Sequence, residues 1–362
     1  MKNIKTYTLV CQLILAVLFS VFSSCTSVHN FTIEIRQPAK ITFPTDVSRI
    51  AIVNNAAFPE TGDFGAEFYL NNKQVSNPFS IAFDSAIWTS IHALAYQIEA
   101  ENFFSKVIIC NVPVRKDNAV LEIRPIPKQE TQMIYGALGA DAIISVDRGL
   151  FKYSQEMTQL PIGYSSDPYY TFVNTKTLAD FAFSVHLKGK ENPLVTFSLQ
   201  DSLYFNPEFV DNDSTLLFQL LPNTMISEAA ENIGGKATPY FVPSWKMVDR
   251  SLYTSHESRM KEALAYAKAD KWISAEKIWL ALYDSKNVPK SKAYLAHNLA
   301  VVSEMRDNLD TALEWAQQAE AFFRQDNEPK NEKEISRVLS YISSLKERKI
   351  EDSLLNEQLR IE

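Results

Sequence analysis

The chain has 362 residues, 46% of them hydrophobic and 12% aromatic, with a formal net charge of −7. That length suits two domains, and the composition supplies a sizeable core and excludes wholesale disorder. The acidic balance argues against nucleic acid as a partner, which needs a basic face, and no polybasic run is present to hold anionic lipid.

Residues 1–24 read as a lipoprotein export signal. Lys2 and Lys5 give a basic start, Leu9–Phe22 is an apolar run broken by Gln12, and the small Ser23 and Ser24 precede Cys25, the expected lipid anchor. The run is short for a membrane-spanning helix of about 20 residues. An uncleaved anchor is the alternative, and Phe22 is bulkier than a lipobox usually carries. Cleavage before Cys25 would remove Lys2 and Lys5 and bring the charge to about −9. Residues 25–30 follow as a lipidated polar tether. With Cys11 in the signal and Cys25 acylated, Cys110 is the remaining thiol, read as buried and inert, and no intramolecular disulfide is possible.

Residues 31–245 read as an α/β (or α+β) domain with a mixed sheet. Phe31–Ile35 alternates like a half-buried strand, Arg49–Val53 is a buried one, and Asn54–Pro78 reads as a long surface loop. Asp84 caps a helix carrying Ile87, Ile91, Leu94 and Ile98. Strands are expected at Lys106–Val112 and Val120–Arg124, and a helix at Gln129–Leu138 ended by Gly139. Ala140–Val146 opens a further strand. Phe151–Val173, with Tyr153, Tyr164, Tyr169 and Tyr170, reads as an aromatic loop that either recognises a partner or folds over the sheet. Ala179–Leu187 and Leu194–Phe205 alternate as a hairpin, and a helix from about Leu216 stops at Gly234-Gly235.

Residues 246–254 read as a linker, and residues 255–349 as tetratricopeptide-like repeats with a capping helix. Ala263, Tyr266, Trp272, Ala275 and Trp279 fall where such a repeat places its small and large packing residues, and Leu299, Ala300, Leu309 and Ala312 fit the template again. Ala275 and Ala312 are 37 residues apart rather than 34. The first helix of each unit lines the concave face, which puts Met260, Leu264, Tyr294, His297, Asn298 and Val301 on a possible partner-binding surface. The chain's own cap or α/β domain is the alternative occupant. Residues 350–362 form a charged tail.

Catalytic signals are weak. The five histidines make no metal-ligand pair at useful spacing, so no metal and no cofactor is expected. Gly234-Gly235-Lys236 fails as a phosphate loop, no Gly-x-Ser-x-Gly elbow is present, and the carboxylates are scattered.

On Ser24-Cys25, Arg49–Val53, Gly139–Ile144, Trp245–Tyr253 and the Trp272, Ala275, Trp279 group, the chain resembles lipoproteins of Bacteroidetes-type bacteria that join an α/β domain to a helical repeat. The first domain is also distantly similar to the α/β module shared by the curli-secretion lipoprotein CsgG, the N-terminal part of TolB, and LpoB. That likeness implies binding and assembly and carries over no catalytic residue. Such bacteria often mark surface lipoproteins with an acidic run, which Thr26–Asn30 lacks. The expectation is therefore an outer-membrane lipoprotein on the periplasmic face, binding or scaffolding envelope proteins and not acting as an enzyme. A hydrolase of cell-wall or glycan material, sited in the aromatic loop, and a secretion-channel subunit are the alternatives.

Overall fold

The computed structural model describes residues 27–58, 65–75, 83–161, 169–205, 208–209, 214–326 and 331–359. Cys25, the export signal and Tyr164 lie outside them. The chain divides into a unit of residues 38–244 with a mixed sheet and a unit formed by residues 27–37 together with 245–359, which carries the C-terminal helices.

In the first unit, β2 (Arg49–Asn54) runs parallel to β5 (Lys106–Cys110) on one side and to the start of β6 (Ala142–Pro161) on the other. Strand periodicity sorts its apolar run onto two faces. Ile50 and Ile52 meet α1 (Phe83–Ala100) and α3 (Ser214–Phe241), while Ala51 and Val53 meet α2 (Lys128–Leu138). Ile87, Ile91, Leu94 and Ile98 form the buried stripe of α1. Asp84 lies inside its first turn rather than capping it. Gly139 ends α2 in the left-handed conformation, and the Asp141 carboxylate accepts from the backbone N–H groups of Ser48 and Arg49, tying the start of β6 to that of β2.

β6 pairs antiparallel with β7 (Tyr169–Leu187) throughout its length. Its other edge pairs with β2 and, past a bulge at Asp147, with β3 (Ala66–Leu70). β4 (Lys73–Val75) closes a hairpin on β3 through Asn71 and Asn72, both at positive φ as a two-residue hairpin turn requires. β8 (Val195–Phe205) and β9 (Glu208–Phe209) pair with β7.

Several sequence expectations change here. Asn54–Pro78 contains the β3–β4 hairpin, residues 120–124 form no strand, and Cys110 is half-buried. The helix expected to stop at Gly234-Gly235 runs on to Phe241. A Cβ on Gly234 would stand 2.5 Å from the Ser90 carbonyl oxygen of α1, so this glycine permits two helices to touch instead of ending one.

In the second unit, β1 (Ser27–Gln37) pairs with β10 (Ser244–Thr254) as a two-stranded sheet. Residues 27–30 are thus strand rather than tether, and residues 246–254 are strand rather than linker. The strand beginning the expected α/β domain belongs instead with the helices. Five helices follow: α4 (Ser258–Lys268), α5 (Trp272–Ser285), α6 (Pro289–Met305), α7 (Leu309–Gln325) and α8 (Glu332–Leu359), each packed on the next except across α8's far side. The expected tail from residue 350 continues α8 to Leu359. Among the described residues no helix is long and apolar enough to cross a membrane.

Candidate functional site

Tyr294, His297, Asn298 and Val301 recur at helical spacing and share one face of α6. That face is filled by β10. The Asn298 amide works as a strand neighbour would: its Oδ1 accepts from the Tyr253 N–H at 2.7 Å and its Nδ2 donates to the Tyr253 carbonyl at 2.7 Å. His297 Nε2 lies 3.0 Å from the Ser251 carbonyl, which accepts only, so Nε2 carries the proton. Burial pulls the His297 pKa down to about 4 and keeps the ring neutral. The Tyr253 ring packs on Tyr294 and His297 with centroids 4.6 and 4.9 Å away. Its hydroxyl donates to Glu334 and accepts from Arg337.

The expected partner-binding surface is therefore corrected. Met260, His297, Asn298 and Val301 are buried and Leu264 and Tyr294 are half-buried, and the extended segment held on α6 is the chain's own strand. Asn298 was the readable signal, since a buried amide on an apolar face needs two backbone partners.

Beside this contact lies an ionic node that the sequence did not disclose. Arg250 grips Glu304 in a bidentate pair, with Nε and Nη2 each 2.7 Å from a carboxylate oxygen. Tyr341 donates to the same carboxylate at 2.8 Å and Arg348 at 3.0 Å. Glu304 is buried on α6, so desolvation raises its pKa, but the Arg250 hydrogen bonds and charge outweigh that and hold it below the usual carboxylate range. Burial alone would lower the Arg250 pKa, and Glu304 reverses the direction. A cleft of about 320 Å³ adjoins the node, bordered by His297, Arg337, Tyr341 and Ser344. Its cations are already paired, Arg250 with Glu304 and Arg337 with Glu334.

A second buried polar centre sits at the β6 bulge. Asp147 accepts from Asn55 Nδ2 at 2.8 Å, from Ser145 at 2.7 Å and from Ser184, and its carbonyl takes a bond from Arg115. Burial raises its pKa against those hydrogen bonds. His186 is buried, with a pKa lowered to about 4 by desolvation. Ser145 Oγ is 3.4 Å from His186 Nε2, so Ser, His and Asp are neighbours. The order is wrong for a catalytic relay, because the carboxylate binds the serine hydroxyls and not the imidazole. The arrangement closes the hydrogen bonds of a bulge inside the core. Among the described residues no group of three or more His, Cys, Asp or Glu is placed to hold a metal ion.

The packing residues read from the sequence are brought together. Ala263, Ala275, Trp279, Leu299, Ala300, Leu309 and Ala312 are buried in one cluster, and Tyr266 and Trp272 pack half-buried against it. The aromatic recognition loop is corrected. Tyr153 is buried in β6 against Phe68, and Tyr169 and Tyr170 belong to β7 opposite Pro161 and Leu160.

Residues 47–253 match the family model described as a domain of unknown function, DUF8603, and residues 261–347 match that of a second, DUF6340. The first covers more than half of the chain, which therefore belongs to the DUF8603 family. No curated protein matches the chain in sequence. Among solved structures, a Helicobacter pylori protein described as a neuraminyllactose-binding hemagglutinin homolog aligns at 10% identity and a TM-score of 0.25, over 55% of this chain and 86% of its own. The PelC dodecamer from Paraburkholderia phytofirmans aligns at 9% identity and a TM-score of 0.20, over 58% of this chain and 97% of its own. Superpositions this loose fix neither fold nor function.

Proposed function

We propose that this chain is an outer-membrane-anchored lipoprotein, acylated at Cys25 and facing the periplasm. Its role would be to bind or scaffold envelope proteins through tetratricopeptide-like helical repeats. The observation that carries the repeat reading is a turn that recurs after 37 residues. Asp270 and Asp307 both take positive φ. Lys271 N–H bonds the Tyr266 carbonyl and Asn308 N–H the Ser303 carbonyl, each at 2.9 Å. Asp270 bonds Ala267 and Asp307 bonds Glu304, each at 3.0 Å. Ala275 and Ala312, equally placed after these turns, are fully buried.

Helix pairs of this kind present a face to extended segments. Here the face of α6 already holds β10, so an envelope partner would meet the unit elsewhere. We assign no enzymatic activity, since the Ser145, Asp147 and His186 group lacks relay geometry and the described part of the loop expected to house a hydrolase site is paired strand. A secretion-channel wall would need the apolar face of the 179–205 hairpin turned to lipid. The Phe181, Phe183, Val185, Phe197 and Leu199 side chains of that hairpin pack instead in the core of their own unit.

Cross-linking of the full-length protein in its own cells tests this reading. A recurring set of envelope proteins is expected, and it should be unchanged in a Tyr294→Ala, Asn298→Ala double variant compared at a temperature where both proteins are folded. Recovery of no protein above background would contradict the scaffold role.

A further inference from the structure

Ser27 opens β1, and β1 belongs to the helical unit, so the first described residue of that unit stands two residues after Cys25. Two residues of extended chain span at most about 7 Å. An acyl group on Cys25 would hold the Ser27 end of β1 at the membrane surface. Around Ser27 lies a cleft of about 330 Å³ bordered by His256, Lys261, Leu264, Ala265 and Lys268. Lys261, Leu264, Ala265 and Lys268 follow helical spacing and share one side of α4. Both lysines are exposed, and neither is paired with a carboxylate among the described residues. The sequence contains no polybasic run, and the fold assembles this patch beside the anchor instead.

We propose that this side of α4 rests on the membrane and that Lys261 and Lys268 contact anionic phospholipid headgroups. The orientation rests on the lipoprotein reading above. Chain length names the occupant, because Ser27 is held within about 7 Å of the acylated residue, less than the Debye length of about 8 Å at physiological salt, and both lysines border the cleft around Ser27. The other end of β1 does not. Gln37 bonds Glu351 of α8 there, roughly 33 Å from Ser27 at the rise of a strand.

The test uses full-length acylated protein carrying Cys110→Ser, with a fluorophore placed at Ala265→Cys or, separately, at Ile350→Cys. Vesicles hold three parts phosphatidylethanolamine to one part phosphatidylglycerol, doped with a headgroup quencher. Quenching should be several-fold stronger at 265 than at 350, and should fall when Lys261→Glu and Lys268→Glu are added. For acyl-free Cys25→Ala protein, each lysine removed should weaken vesicle partitioning roughly five-fold. Equal quenching at the two positions in acylated, vesicle-bound protein overturns the orientation and leaves the anchor standing. Protein that its cells never acylate overturns the lipoprotein reading and the orientation with it.

Discussion

Glu304 shows how a single residue acts through its environment. Its carboxylate, fully buried on α6, is worth little alone, but removing its charge would strand the Arg250 guanidinium in the core. Glu304→Gln should therefore cost about 3–5 kcal/mol in urea unfolding, whereas Arg250→Met with Glu304→Leu should recover most of that loss. Equal losses would mean that the pair contributes more than its desolvation removes. His297 makes the pH dependence testable. It stays neutral in the fold down to about pH 4, while the unfolded chain takes up a proton below roughly 6.5, so stability must fall as pH drops through that window. The loss is about 3 kcal/mol in order of magnitude. Burial of His186 adds to it in the same direction, and the raised pKa of Asp147 opposes it. Melting temperatures between pH 7 and 4.5 should decline less steeply in His297→Gln than in the native protein. Of these residues, His297 and Asn298 were legible as members of a helix face. Glu304 was not, because a glutamate near a helix end reads as solvent-facing until its arginine, 54 positions earlier, is known to fold back.

At the scale of elements, strong periodicity was readable and contact between elements was not. The stripe of α1 and the run of β2 follow from apolar spacing alone. β10 escaped notice because Arg250 occupies an inward position and breaks the alternation that Leu252 would otherwise announce. The glycine pair was misread because a glycine that ends a helix and one that admits a neighbour look alike in sequence. The two roles predict different mutants. Gly234→Ala should destabilise by about 1–3 kcal/mol through overpacking against Ser90. Gly235→Ala meets the flexible end of Gln97 and should be neutral or stabilising, by up to about 1 kcal/mol from helix propensity. Thermal unfolding of the pair separates packing from termination. Matching behaviour would contradict the close approach of α1 and α3.

On the scale of the whole molecule, chain order and unit membership part company. The unit of residues 38–244 is inserted between β1 and β10, which pair with each other in the helical unit. Two domains were legible from the shift in composition near residue 255. Their true border was not, since a strand contributed from the far end of the chain leaves no local mark. A fragment of residues 245–362 should accordingly be marginal, with its β10 edge unpaired and Trp272 missing the Phe31 ring that lies 5.8 Å away. Addition of a peptide of residues 27–37 should raise its melting temperature, and a fragment equally stable without the peptide would show that β1 is dispensable.

Everything proposed for the cell depends on Cys25. Metabolic labelling with a palmitate analogue, followed by membrane fractionation of the native protein and Cys25→Ala, tests that dependence most directly. The native chain should take up label and sediment with outer membranes, while the variant should stay unlabelled and appear in the soluble periplasmic fraction. A variant that remains wholly in the membrane would contradict the account.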